Sequence, residues 1–480
     1  RTHFSRAKLG KPFPRWLLNH RYTLDEFESC LVMEPGHVFG TPTTSADLRY
    51  WNNLTSIFNI IKDEGIELAE LDLSGNAEVN SKVLAQASRL FGHCLNSIVL
   101  ANCIAIDKIA LAFIGGISNL QRLDISGIKY INDDHIERLI DKDLLKLHTL
   151  NISGCNNLTN RSLYSIAETY HRFISLNISK NLNYTWNGVN EIMLKCENLI
   201  KFDMSFCPGI TSFGVIMHVG DPEHNIMQFS GRPLKILKLD EVSNLSDESL
   251  DYISGALADL TDLTMPRMKN LSDAMVQGLI CGCFNLRQLH IPGCKNIKSE
   301  ALRTIGKSAK VLQDINIANI GRFTSDSLRE MLENCKTLTY VNVSNNTKDV
   351  DDKVFSAMEV PNSGGIAIFL PKLKRLSMAN TSITGYGVAC MAERCASLEH
   401  LDISGHKYVN DASLHVLAGC CRKLRSVWLN DCPALSDSGV IQICYSAKKL
   451  EVLHLSSSLF TLDAWGTRMK QFTDSIVEAC

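Results

Sequence analysis

A unit of about 26 residues recurs through most of this chain, and that periodicity constrains its fold more tightly than any other feature. Each unit opens on the pattern L-x-x-L-x-L-x-x-C/N, first at Leu68, Leu71, Leu73 and Asn76 and most fully at Leu147, Leu150, Ile152 and Cys155. Fifteen copies follow one another from Leu68 to Leu450, and twelve of the fourteen spacings lie within one residue of 26. The other two, Leu199 to Leu234 and Leu338 to Leu373, are stretched to 35 residues.

Within a unit the first apolar residues alternate with period two, as in a short strand with one buried face. The second half changes period. In Leu245-Ser246-Asp247-Glu248-Ser249-Leu250 and Val409-Asn410-Asp411-Ala412-Ser413-Leu414 a small polar residue precedes an apolar stretch of roughly 3.6-residue period, the pattern of a capped helix. One strand-turn-helix unit cannot bury its apolar face alone, whereas stacked units share a continuous core. The expected fold is therefore an α/β solenoid, a horseshoe with parallel strands on the concave face and helices on the convex face. A length of 480 residues by itself suggests about three domains, but the period argues for a single elongated body over residues 66–480.

The chain resembles the cysteine-containing class of leucine-rich repeats found in F-box/leucine-rich-repeat proteins. The resemblance rests on strand-end cysteines (Cys103, Cys155, Cys207, Cys294, Cys432), helix-end cysteines (Cys94, Cys196, Cys283, Cys335, Cys395) and the Thr/Ser/Asn-Asp helix starts. It implies a substrate receptor that binds its target on the repeat surface and presents it to a cullin-type ubiquitin ligase. The F-box itself is not evident. Phe13-Pro14-Arg15-Trp16-Leu17-Leu18 echoes only the opening of that motif, and Pro35, Gly36, Gly40 and Pro42 interrupt the helices that should follow.

The net charge of −2 provides no global basic field, which argues against nucleic acid as a partner except through the N-terminal arm. The seventeen cysteines recur at apolar repeat positions, where a thiol packs as a small hydrophobe. That usage points to a reducing, intracellular compartment: cytoplasmic, with mitochondrial or axonemal settings as alternatives. No apolar run reaches the roughly 18 residues that span a bilayer.

Residues 1–65 read as a basic arm and a helical cap. Arg1, Arg6, Lys8, Lys11, Arg15 and Arg21 precede the first acidic residue, Asp25, with Trp16 among them. Such a segment suits a transit remnant, a docking arm for an acidic partner, or a solvated cap. From Asp47 to Lys62, helical spacing puts Trp51, Leu54, Ile57, Phe58 and Ile61 on one side, fitted to cover the first repeat. An Arg at position 1 suggests a natural chain that starts earlier, and a repeat that stops at Cys480 without a cap suggests one that continues.

The long spacings mark insertions near residues 218–233 and 358–371, and a third at 459–471 contains Trp465. Solenoid insertions are extruded as loops, often on a binding rim. Along the strands, the residue between the second and third apolar positions points out of the core. From Asp124 through Asn151 and Asn177 to Asp203 these positions form an acidic/amide ladder suited to a basic or amide-rich segment, or simply solvated. Further along, His290, Trp428 and His454 occupy the same position, and a large exposed aromatic is a natural partner anchor.

No catalytic, nucleotide-binding or metal motif is recognisable. Gly115-Gly116 and Gly364-Gly365 fit neither phosphate-binding pattern, and Cys281-Gly282-Cys283 and Cys420-Cys421 lack a second ligand pair. The expectation is a protein without cofactor or metal, not an enzyme, that binds one or more proteins: a ligase-receptor scaffold partnered by a cullin-type adaptor, or a permanent subunit of a large axonemal or mitochondrial assembly.

Overall fold

The computed structural model describes the backbone of residues 31–34 and residues 43–107, 109–140, 144, 146–169, 171–212, 232–242, 244–356 and 370–455. These fall into two compact units, one built on residues up to 216 with 232–234, the other on residues from 235 onward. The division coincides with the first long spacing. Most of that insertion, most of the second, and all of 459–471 with Trp465 lie outside the described residues, as do Arg15 and Trp16.

In the first unit Thr43–Asp47, Glu70–Asp72, Ser97–Val99, Arg122–Asp124, Thr149–Asn151, Ser175–Asn177 and Lys201–Asp203 pair in parallel, each with the next. Leu31–Glu34 adds to Thr43–Asp47 in antiparallel. In the second unit the strands are Ile236–Lys238, Asp262–Thr264, Gln288–His290, Asp314–Asn316, Tyr340–Asn342, Arg375–Ser377, His400–Asp402, Ser426–Trp428 and Val452–His454, again parallel and in sequence order. Each is short because only the middle residue faces the core. Leu263, Leu289, Ile315, Val341 and Leu376 stand in register and are buried, while their flanking residues point away. Between successive strands most repeats place a helix whose apolar residues are buried, as Leu302 and Ile305 are in Ser299–Ser308 and Leu328 and Met331 in Ser325–Asn334. The fold is an α/β leucine-rich-repeat solenoid.

The helix expected from Asp47 begins only at Leu54, because Thr43–Asp47 is drawn into the sheet: Ala46 pairs with Leu71, and both Ala46 and Leu48 are buried. The helix Leu54–Asp63 buries Leu54, Ile57, Phe58 and Ile61, with the Phe58 ring edge-on to Phe91 at 5.7 Å. In the repeat that carries the second insertion, the described residues include only a short 3-10 turn, Asp352–Val354, where other repeats place a helix.

Three polar devices recur and explain the repeat pattern. First, the Asp or Asn ending a strand accepts the N–H two residues on, as Asp124 does from Ser126 (3.0 Å), Asn177 from Ser179 (2.9 Å) and Asp402 from Ser404 (3.1 Å). The chain then passes through a left-handed residue. Asn or Gly takes most of these positions (Asn102, Gly127, Gly154, Asn345), although Phe206 and Arg267 also adopt positive φ. Second, the signature Cys or Asn donates back to the neighbouring repeat. Cys103 Sγ reaches the Leu73 carbonyl at 3.0 Å and Cys155 Sγ the Ile125 carbonyl at 3.2 Å, while Asn346 Nδ2 reaches Ile317 of the preceding repeat at 3.0 Å and Val343 of its own at 2.8 Å. Burial pushes the Cys155 thiol up to about 12 and that of Cys103 up to about 11, so both stay protonated as donors.

Third, the helix starts are laced together. Asp411 accepts both the backbone N–H (2.9 Å) and the hydroxyl (2.5 Å) of Ser436, which itself caps the next helix, and Asp133 does the same for Thr159 at 2.9 and 2.6 Å. The Ser/Thr-Asp pair in the sequence is thus a cap and an inter-repeat clasp together.

Candidate functional site

Because side chains alternate across a strand, each strand presents two outward residues, its first and its third. The sequence ladder follows the third. In the first unit Asp124, Asn151, Asn177 and Asp203 stand in register on four adjacent strands. Asp124 and Asn177 are engaged by their own turns, and so are Asn151 with Ser153 (3.1 Å) and Asp203 with Ser205 (3.1 Å). Asn151 also donates to Asp124 at 2.7 Å. The polar uniformity of this ladder has an internal cause, the turn that every repeat must make, and its half-exposed side chains keep part of their hydrogen-bonding capacity toward solvent.

The second unit differs. Its first-position column runs through Asp314, Tyr340, Arg375, His400 and Ser426, and its third-position column through Asn342, Ser377, Asp402, Trp428 and His454. Tyr340, Arg375, Ser377, His400, Asp402 and Trp428 line a recess of about 430 Å³ floored by Leu376. Trp428 and His454 stack at 5.1 Å with an 8° interplanar angle, so one face of the indole is backed by imidazole. The Arg375 guanidinium lies over the Tyr340 ring at 4.9 Å, and the His290 and Tyr340 rings meet at a steep 72° angle with centroids 6.1 Å apart. Of the residues singled out from sequence, His290, Trp428 and His454 therefore border one surface. The Asp124–Asp203 ladder belongs to the other unit.

Charges around the recess are unevenly satisfied. Asp402 accepts the Ser404 N–H and the Ser377 hydroxyl (3.2 Å), Glu399 pairs with Lys374 (3.2 Å), and Asp314 accepts the Thr339 hydroxyl (2.7 Å). Arg375 meets Asp314 only at 3.8 Å and remains half exposed. Burial holds His290 below the usual imidazole value against the pull of Asp314, Asp240 and Asp262, and its Nε2 has no hydrogen-bond partner among the described residues. Tyr340, Arg375 and His400 were not singled out from sequence; the signal that reveals them is the period-two rule applied one step earlier in each strand.

Every described cysteine is a free thiol, and most are buried. Among the described residues no group of three or more His, Cys, Asp or Glu side chains is placed to hold a metal ion, and no helix is long and apolar enough to cross a membrane.

No protein-family model matches the chain. Over 205 residues it is 28% identical to the DNA repair protein rhp7 of Schizosaccharomyces pombe, a match that takes in 41% of this chain and 34% of that protein. The chain thus spans about a third of that relative's length. Among solved structures, the fold is similar to that of a chain in the Rad7–Elc1 complex of yeast, with a TM-score of 0.51 at 14% identity over 80% of this chain and 85% of that one. A leucine-rich-repeat protein of Leptospira interrogans gives a TM-score of 0.45 at 18% identity over 88% of this chain and 91% of that one.

Proposed function

We propose that this chain is a noncatalytic protein-interaction scaffold that holds a partner protein on its strand face and brings it to an adaptor, in the manner of the substrate-recognition part of an F-box/leucine-rich-repeat ligase receptor. The observation that carries this reading is the recess of the second unit. Two aromatic side chains, Tyr340 and Trp428, stand partly exposed on a rigid parallel sheet beside an Arg375 fork that is only loosely engaged. Trp, Tyr and Arg are the residue types that dominate binding energy at interfaces, and a sheet braced by inter-repeat hydrogen bonds presents them with little ordering cost. The similarity to rhp7 and the fold likeness to the Rad7–Elc1 complex support an adaptor-bound scaffold and make a DNA repair assembly the first place to seek the partner. The buried free thiols fit a reducing compartment.

Affinity purification of the full-length protein from its native cells, with stepwise salt washes and mass spectrometry, tests the reading. Recovery of a cullin with its adaptor, together with a partner that washes off reversibly, is the expected result. Salt-resistant recovery of one fixed assembly containing neither would overturn it and identify a permanent structural subunit.

A further inference from the structure

Resting on the scaffold reading, we propose that the recess is selective for an acidic segment of the partner protein: a carboxylate seated on Arg375 and His400, followed by an apolar side chain laid against the open face of Trp428.

The argument begins with what the recess leaves unspent. Its acidic groups are occupied, Asp402 by Ser404 and Ser377, and Asp314 by Thr339. Its cationic and neutral donors are not. Arg375 and His400 are register partners on adjacent strands, and no hydrogen bond to a described residue holds either the guanidinium or the imidazole. The Tyr340 ring holds the guanidinium at the recess, 4.9 Å from its centroid, and an arginine fork can take a carboxylate through two parallel hydrogen bonds. A cation held in this way, with its nearest carboxylate at 3.8 Å, is a receptor for an anion rather than half of a closed ion pair.

The second contact follows from spacing. Trp428 lies two strands beyond Arg375, a separation of about 10 Å at the usual inter-strand distance. An extended peptide crossing the strands covers that distance in roughly three residues. His454 fills one face of the indole and Ser377 leaves the floor between the walls low, so an apolar side chain has the other face of Trp428 to lie on. The partner motif is thus an Asp or Glu with an apolar or aromatic residue about three positions away.

Fluorescence anisotropy on the full chain provides the test, using labelled short peptides on a Gly/Ser background: one with Glu placed three residues before Phe, its Lys-for-Glu counterpart, and one with Glu and no Phe. The Glu/Phe peptide is expected to bind at least about tenfold more tightly than either control, about 1.4 kcal/mol, and to weaken as salt is raised. Arg375→Gln should bring it to the level of the Lys control, Arg375→Lys should restore part of the affinity, and Trp428→Ala should erase the preference for Phe. Lys201→Gln, on the strand face of the other unit, should change nothing. Equal binding of Glu and Lys peptides, or a Glu/Phe peptide indifferent to Arg375→Gln, would overturn the proposal. Arg375→Gln also serves in the affinity purification. Loss of the native partner there supports the recess, and full recovery overturns it while leaving the scaffold reading intact.

Discussion

Asn346 is the sharpest place to test whether the signature position works as a cross-repeat donor. Its side chain is 3% exposed and makes three hydrogen bonds: Nδ2 donates to the carbonyls of Ile317 and Val343, and Oδ1 accepts the Ile320 N–H at 3.1 Å. Asn346→Ala strands two carbonyls and one amide in the core. At about 1 kcal/mol net per bond, and up to about 3 for a buried group left unpaired, the loss should be about 2 to 4 kcal/mol. Asn346→Asp should cost more, because a carboxylate oxygen then faces the two carbonyls. Burial and those dipoles raise its folded pKa above the unfolded value, so the penalty is full above the folded pKa and shrinks as pH falls through it. Asn346→Cys should cost less than Asn346→Ala, since thiols do the same work at Cys155 and Cys432. Repeat proteins need not unfold in one step. The measurement is therefore urea unfolding combined with hydrogen exchange of the 314–346 segment, read as loss of protection there. A loss below about 1 kcal/mol for Asn346→Ala, or an Asn346→Asp no worse than Asn346→Ala at neutral pH, would refute the reasoning.

Other expectations follow from the same devices. Under native conditions iodoacetamide should label the exposed Cys281 first among the described cysteines and spare Cys155, Cys207 and Cys283, whose thiols burial pushes up to about 12; peptide mass spectrometry before and after unfolding checks this. Asp411→Ala removes both bonds to Ser436 and should cost about 1 to 2 kcal/mol, with exchange rising first in the helix Asp437–Ser446. His406 holds the signature position with Nδ1 on the Ile403 carbonyl (2.8 Å) and Nε2 on the Thr381 hydroxyl (2.9 Å), and burial lowers its pKa. The unfolded chain thus takes up the proton first, and stability of the second unit should fall as pH drops below about 6.5. His406→Asn should remove that increment, and a thermal melt at several pH values would show it.

The period, the short strands, the capped helices and the apolar setting of the cysteines were legible in the sequence, because each is settled within one repeat; that the signature Cys or Asn donates to a carbonyl of the preceding repeat came only from the structure. Ser246 and Asn410 cap where their pattern said they would. What needed the tertiary structure was lateral. Tyr340, Arg375 and His400 are separated by 35 and 25 residues, yet parallel register sets them side by side. The uniform composition of the Asp124–Asp203 ladder suited either a bound segment or solvent, and the structure adds that each of these side chains also accepts the N–H of its own turn. The division into two units, and the strand Thr43–Asp47 ahead of the first recognisable repeat, likewise depend on packing between distant segments, since a strand lacking the leucine signature joins the sheet only when a neighbour offers free backbone groups to pair.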